Sequence, residues 1–135
     1  MTTTAKWTVP TTTACIMTTE LNALSAGSNA AGSAIANSAS LYTYADFELY
    51  LGHSSSLGSG GHIAAYWLVA LDGTNYGDGS GTVDAPATML FGNFPLRAIA
   101  SGSQRVPLLN VLVPPETVQV LLDNQSGSSA LAAVG

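Results

Sequence analysis

The side chains able to do chemistry are few and scattered along the chain. His53 and His62 bracket a Ser/Gly-rich loop. Two imidazoles across a loop could hold a metal, but zinc takes three or four ligands and no third is close in sequence, so they read as polar loop residues. Asp72, Asn75 and Asp78 in DGTNYGDG place oxygens as a calcium loop might. Their spacing is not that of an EF-hand and no bidentate glutamate follows, whereas Asp-Gly and Gly-Asp-Gly are ordinary turn formers. Asp46 and Glu48 stand on one face of one strand, roughly 7 Å apart by strand rise. A glycosidase pair can have that separation but spans a cleft, so a solvated strand face explains the two carboxylates better. Cys15 is the single cysteine. It sits in a β-like run with no histidine or cation beside it to activate a thiolate, and reads as a small buried hydrophobe. G-x-S-x-G, P-loop and H-E-x-x-H motifs do not occur. The expectation is a chain with no catalytic, cofactor-binding or metal-binding residues, and not an enzyme.

The stretch from 44 to 76 organises the rest. In YADFELYLG, residues Ala45, Phe47, Leu49 and Leu51 alternate with Tyr44, Asp46, Glu48 and Tyr50, which predicts a strand with one face in the core and one in water. In HIAAYWLVAL both faces are apolar: Ile63, Ala65, Trp67, Val69 and Leu71 on one, Ala64, Tyr66, Leu68 and Ala70 on the other. A strand of that kind is covered on both sides, either as a central strand with a loop folded over it or as a surface for another subunit.

Residues 1–10 are Thr-rich, carry Lys6 and Trp7 and close on Pro10; they read as an extended N-terminal arm. Residues 11–135 read as a single domain, which a chain of 135 residues can fold around its own core. Residues 11–18 have strand composition, and residues 20–24 suit one helical turn capped by Thr18 or Thr19. The small-residue segment 25–40 predicts a loop with at most one short strand. MLFGNFPLRAIA supplies apolar bulk and a strand running to Leu96, Ala98 and Ala100. RVPLLNVLVPP predicts a strand with Val106, Leu108 and Leu112 on one face and Leu109, Val111 and Val113 on the other, and Pro107 confines it to an edge or a bulge. TVQVLLDN turns Val118, Val120 and Leu122 inward. The count of about seven or eight short strands, joined by Gly, Ser and Pro turns, predicts an all-β antiparallel β-sandwich or jelly roll.

Charged residues make up only 8% of the chain, against about 25% in an ordinary soluble domain. The net charge is −5 and the only cations are Lys6, Arg97 and Arg105. So few cations disfavour nucleic-acid binding, which rests on several phosphate contacts, and docking on anionic membranes. The chain holds no run of apolar residues long enough for a membrane-spanning helix, and MTTTAKWTVP lacks the apolar centre of a secretion signal.

Four segments carry a resemblance: YADFELYLG, YWLVALDGTNYGDGSGT, GNFPLRAIASGSQRV and VLVPPETVQVLLDNQSG. In order and spacing, over residues 46–127, they resemble a family of tailed-bacteriophage virion structural proteins. The chain departs from that pattern at its end, where SSALAAVG is short for a final strand. The resemblance implies a jelly-roll or β-sandwich protein on the outer surface of the capsid that decorates or cements the shell. Its implied partners are the major capsid protein and further copies of itself in a homo-oligomer. Exposed apolar character marks Lys6, Trp7, Tyr66, Leu68 and Tyr76 as interface residues. A tail or baseplate structural protein of the same fold is an alternative, as is a carbohydrate-binding module that stacks sugars on Tyr44, Tyr50 and Tyr66.

Overall fold

The computed structural model describes residues 16–39, 41–53, 60–98, 102–127 and 131. The expected arm with Lys6 and Trp7, Cys15, and residues 11–15 of the strand expected over 11–18 therefore lie outside the described residues, while residues 16–18 form no strand. Among the described residues seven strands run in chain order: β1 (Asn29–Ala31), β2 (Ile35–Ala36), β3 (Tyr44–His53), β4 (His62–Ala70), β5 (Leu90–Pro95), β6 (Gly102–Leu112) and β7 (Thr117–Gln125). The one helical element among the described residues is a 3-10 turn over Ala87–Met89. All pairings are antiparallel, so the expected all-β sandwich is the fold that forms.

The larger sheet runs β1-β7-β4-β5, with β2 pairing β7 further along the same strand. β3 and β6 form the second sheet. The core lies between them. Trp67 stands opposite Val120 and Ala65 opposite Leu122, so their side chains share the inner face of the large sheet. Across from them Leu49, Leu51 and Val111 are buried, with Phe47, Val106 and Leu108 packed against the same cluster. The sheets touch at Gly92, where an added Cβ would run into Leu108 Cδ2. Three rings meet nearby: Trp67 stacks on Phe91 with centroids 4.3 Å apart, and Phe47 meets Trp67 edge-on at 5.7 Å.

The outer face of β4 is closed by its own following connection, as its apolarity requires. Gly79 sits on Leu68 so closely that a Cβ there would be 2.5 Å from Leu68 Cδ2, and the Gly77 N–H donates to the Val69 carbonyl at 3.2 Å. Leu68 is consequently buried, at 2% exposure: it lies on the outward face as expected, but it is covered there and not exposed. Leu71, expected inward, is 83% exposed: β4 ends at Ala70, whose carbonyl accepts from the Gly73 N–H and starts the turn.

Three further expectations change. Segment 25–40 contains two short strands rather than at most one. They form by backbone pairing with β7, Asn29–Ala31 against Leu121–Asp123 and Ile35–Ala36 against Thr117–Val118, with Ile35 packed against the core. Residues 20–24 make isolated turns and no helix; the Glu20 carboxylate accepts from its own backbone N–H and from those of Thr18 and Thr19, which holds its pKa below the ordinary value. In β6 the faces exchange at Asn110. Ala45 pairs with Val111 but Phe47 with Leu108, so β6 carries an extra residue. Asn110 takes up the left-handed φ of 56° that such a bulge uses, and its N–H donates to Asp46 Oδ1 at 2.8 Å. Val111 and Val113 are thereby buried together with the inward Val106 and Leu108, while Leu109 and Leu112 face solvent. Pro107 is tolerated because β6 pairs only with β3 among the described residues. β5 stops at Pro95, short of Leu96 and Ala98, although Leu96 is buried and its N–H reaches the Gly61 carbonyl.

Candidate interaction surface

Asn37 organises one end of the sandwich. It is 2% exposed and makes three hydrogen bonds: Nδ2 donates to the carbonyls of Tyr42 and Pro114, both at 2.9 Å, and Oδ1 accepts from the Tyr42 N–H at 2.8 Å. The Leu41 N–H returns to the Asn37 carbonyl, and the Val113 N–H bonds Thr43. This ties the segment before β3 to the strand end after β6 and turns Leu41 and Tyr42 out to 61% and 63% exposure. Tyr44 and Leu112, directly opposite each other across β3 and β6, are also exposed.

Beneath this rim lies an apolar cleft of about 560 Å³, lined by Leu41, Tyr42, Thr43, Leu112, Val113, Pro114 and Pro115, with the Trp67–Phe91 stack also in its wall. A second cleft, about 390 Å³, shares Trp67 and Pro114 and runs to the exposed Leu71 and to Met89. Buried Trp67 offers an Nε1–H without a partner. Large exposed apolar patches mark places where another surface docks. Here the means of binding are apolar area and the Tyr42 hydroxyl.

Of the residues expected at an interface, Lys6 and Trp7 lie outside the described residues, Leu68 lines the second cleft, and Tyr66 and Tyr76 line neither cleft. Tyr66 is half-buried on the outer face of the large sheet, where burial, then the Asp123 and Asp84 carboxylates, push its phenol pKa up. Leu68 is buried beneath the Gly79 loop, and Tyr76 is half-buried in the connection after β4. The tyrosines considered for sugar stacking are dispersed as well. Tyr50 lies under the Arg105 guanidinium, 4.4 Å from its ring centre, while Arg105 pairs with Glu48, and Tyr66 belongs to the other sheet. His53 and His62 also stand on different sheets, His53 opposite Gly102 and His62 opposite Pro95 and Gln125. The residues of this site missed from the sequence are the buried Asn37 and, at the surface, Leu41, Tyr42 and the Pro114–Pro115 step. The only visible sign was an apolar LYTY run abutting β3.

Asp72 serves its own turn. Oδ1 accepts from the N–H groups of Thr74 at 2.9 Å and Asn75 at 2.7 Å, and Oδ2 accepts from Asn75 Nδ2 at 2.7 Å. These bonds, those from Asn75 first, lower its pKa to about 2. Among the described residues no three His, Cys, Asp or Glu side chains group as metal ligands. Because the folded pKa lies below the ordinary 3.8, the turn's contribution is complete above that value and is lost as pH falls toward 2. An NMR titration of the Asp72 carboxyl will show a midpoint near 2, and Asn75→Ala will move it up toward 3.8. An unchanged midpoint in that variant would show that the Asn75 amide contributes nothing.

Comparison of the chain with protein-family models, with curated proteins and with solved structures returns no match. The fold and this surface define a small all-β sandwich with an open apolar cleft at one end.

Proposed function

We propose that this protein is a non-enzymatic virion component of a tailed bacteriophage, a capsid decoration or cement protein that binds the outer shell and bridges major capsid subunits. The observation that carries the reading is the exposed apolar rim of Leu41, Tyr42, Tyr44 and Leu112 around a cleft floored by aromatic rings. Low charge and the segment resemblance support it. A side chain such as Tyr42 or Leu112 contributes by leaving water, at about 25 cal/mol per Å² of apolar area buried. Such contacts are little weakened by salt, unlike charge pairing. Because the protein binds only the assembled shell, each bound copy shifts the equilibrium toward assembly. Repetition of one contact over the shell accounts for the expected self-association.

The test is a loading assay on particles lacking the protein, comparing wild type with the double variant Tyr42→Ser/Leu112→Ser. Both side chains are exposed, so the variant keeps its fold. Removal of two interface anchors will reduce affinity for the shell by about tenfold or more, and the particles will release DNA at a lower temperature. Full loading by the variant would refute this surface as the binding face. Wild-type protein found on tails alone would replace the capsid reading with that of a tail or baseplate component.

A further inference from the structure

The outer face of the large sheet holds a group of oxygens that neither the core nor the apolar rim uses. Asp123 in β7 is 8% exposed and stands between Asn29 of β1 and Ala64 of β4. The covering connection brings Asp84 to the same place, where its Oδ1 accepts from Asn29 Nδ2 at 2.8 Å. That bond fixes the amide's orientation, since a flipped Asn29 would set its oxygen against a carboxylate. The Asn29 Oδ1 is then left buried without a partner in a residue 7% exposed. Tyr66 completes the group: its phenol feels the negative charge of Asp123 and of Asp84.

A carboxylate only 8% exposed, with the exposed Asp84 carboxylate beside it and a buried amide oxygen without a partner, is unfavourable by itself. A buried acceptor without a partner costs about 1–3 kcal/mol, and a buried charge requires pairing. Gln125 Nε2 donates to Asp123 Oδ2, but that amide is neutral. The single ion pair among the described residues, Arg105 with Glu48, lies on the other sheet. What these groups lack is a cation, and all the donors are oxygen.

We propose that Asn29, Asp84 and Asp123, with the Tyr66 hydroxyl beside them, form a binding site for a divalent cation of the calcium type, which joins the covering connection to the sheet. Calcium takes carboxylate and amide oxygens in irregular arrangements and fills its remaining positions with water. Zinc would seek nitrogen or sulfur ligands, and the group supplies neither. The ion would neutralise Asp123, satisfy the Asn29 oxygen and clamp residues 71–89 over β4. The site is separate from the apolar rim and does not depend on the capsid reading.

Titration of the full chain with terbium, excited through tyrosine, tests this, together with thermal unfolding in millimolar calcium and in EDTA. Calcium will raise the unfolding temperature and displace terbium emission. Asp84→Asn, at an exposed position, will weaken binding by about tenfold or more, as loss of a charged ligand does. Asp78→Asn, in the neighbouring turn, will leave it unchanged. No terbium emission and no calcium-dependent shift would overturn the site. So would binding that survives Asp84→Asn, or binding abolished by Asp78→Asn, which would place the ion in the DGTNYGDG turn instead.

Discussion

Replacing Asn37 by alanine will lower stability by about 2–4 kcal/mol, because one buried amide serves three backbone groups and an unmet buried partner costs about 1–3 kcal/mol. The Tyr42 N–H, the Tyr42 carbonyl and the Pro114 carbonyl all lose their partner at once. Water can reach some of them, since Tyr42 is 63% exposed, and that keeps the total below the sum of three full penalties. Asn37→Asp is the sharper variant. It retains an acceptor for the Tyr42 N–H but sets a carboxylate against two carbonyls, so at neutral pH it will be at least as damaging as alanine. Urea unfolding gives both numbers, with the loss seen as a lower midpoint at unchanged slope. Because Asn37 fixes the segment carrying Leu41 and Tyr42, the alanine variant will also load particles poorly under conditions where it remains folded. A loss below about 0.5 kcal/mol, the range of ordinary surface changes, would mean that the rim is held by other contacts.

How far the chain could be read in advance depended on whether side chains or backbone decided each element. β3 and β7 alternate because each has one face in the core, and Leu49, Leu51, Val118 and Val120 are buried as that pattern demands. β4, apolar on both faces, is indeed central, between β5 and β7, with its own connection folded over it. β1 and β2 left no such mark. Asn-Ala-Ala and Ile-Ala carry little strand preference; they are strands because β7 offers an open edge to pair with. The misplacement of Leu112 has a single cause, the added residue at Asn110, and the cue was Asp46, whose carboxylate receives the bulge N–H. On the strand alone Asp46 looked merely solvated. The apolar rim escaped notice for a related reason. Its members come from the segment before β3 and the end of β6, and they meet only because β3 pairs with β6 rather than with β4, its neighbour in sequence.

Trp67→Ala will be the most damaging single core change, at about 3–5 kcal/mol for loss of a large buried aromatic. A domain of ordinary stability has about 5–15 kcal/mol in total, so the variant will be marginal. Trp67 is 6% exposed, stacks on Phe91 and meets Phe47 edge-on, so it joins the two sheets as well as filling space between them. The contrast with Trp67→Phe separates these contributions. The indole Nε1 has no partner, so phenylalanine forfeits volume but no hydrogen bond and will cost well under half as much as alanine. If phenylalanine proves as harmful as alanine, the N–H must be bonded in solution and the cleft beside it wetted. A Trp67/Phe91 double-mutant cycle supplies the second check, with a coupling of about 0.5–1.5 kcal/mol expected for a stacked pair. Because both clefts share Trp67 in their walls, a strong coupling would also mean that whatever docks at the rim rests on a rigid floor. In that case affinity changes in rim variants such as Tyr42→Ser report lost contact area rather than a loosened core.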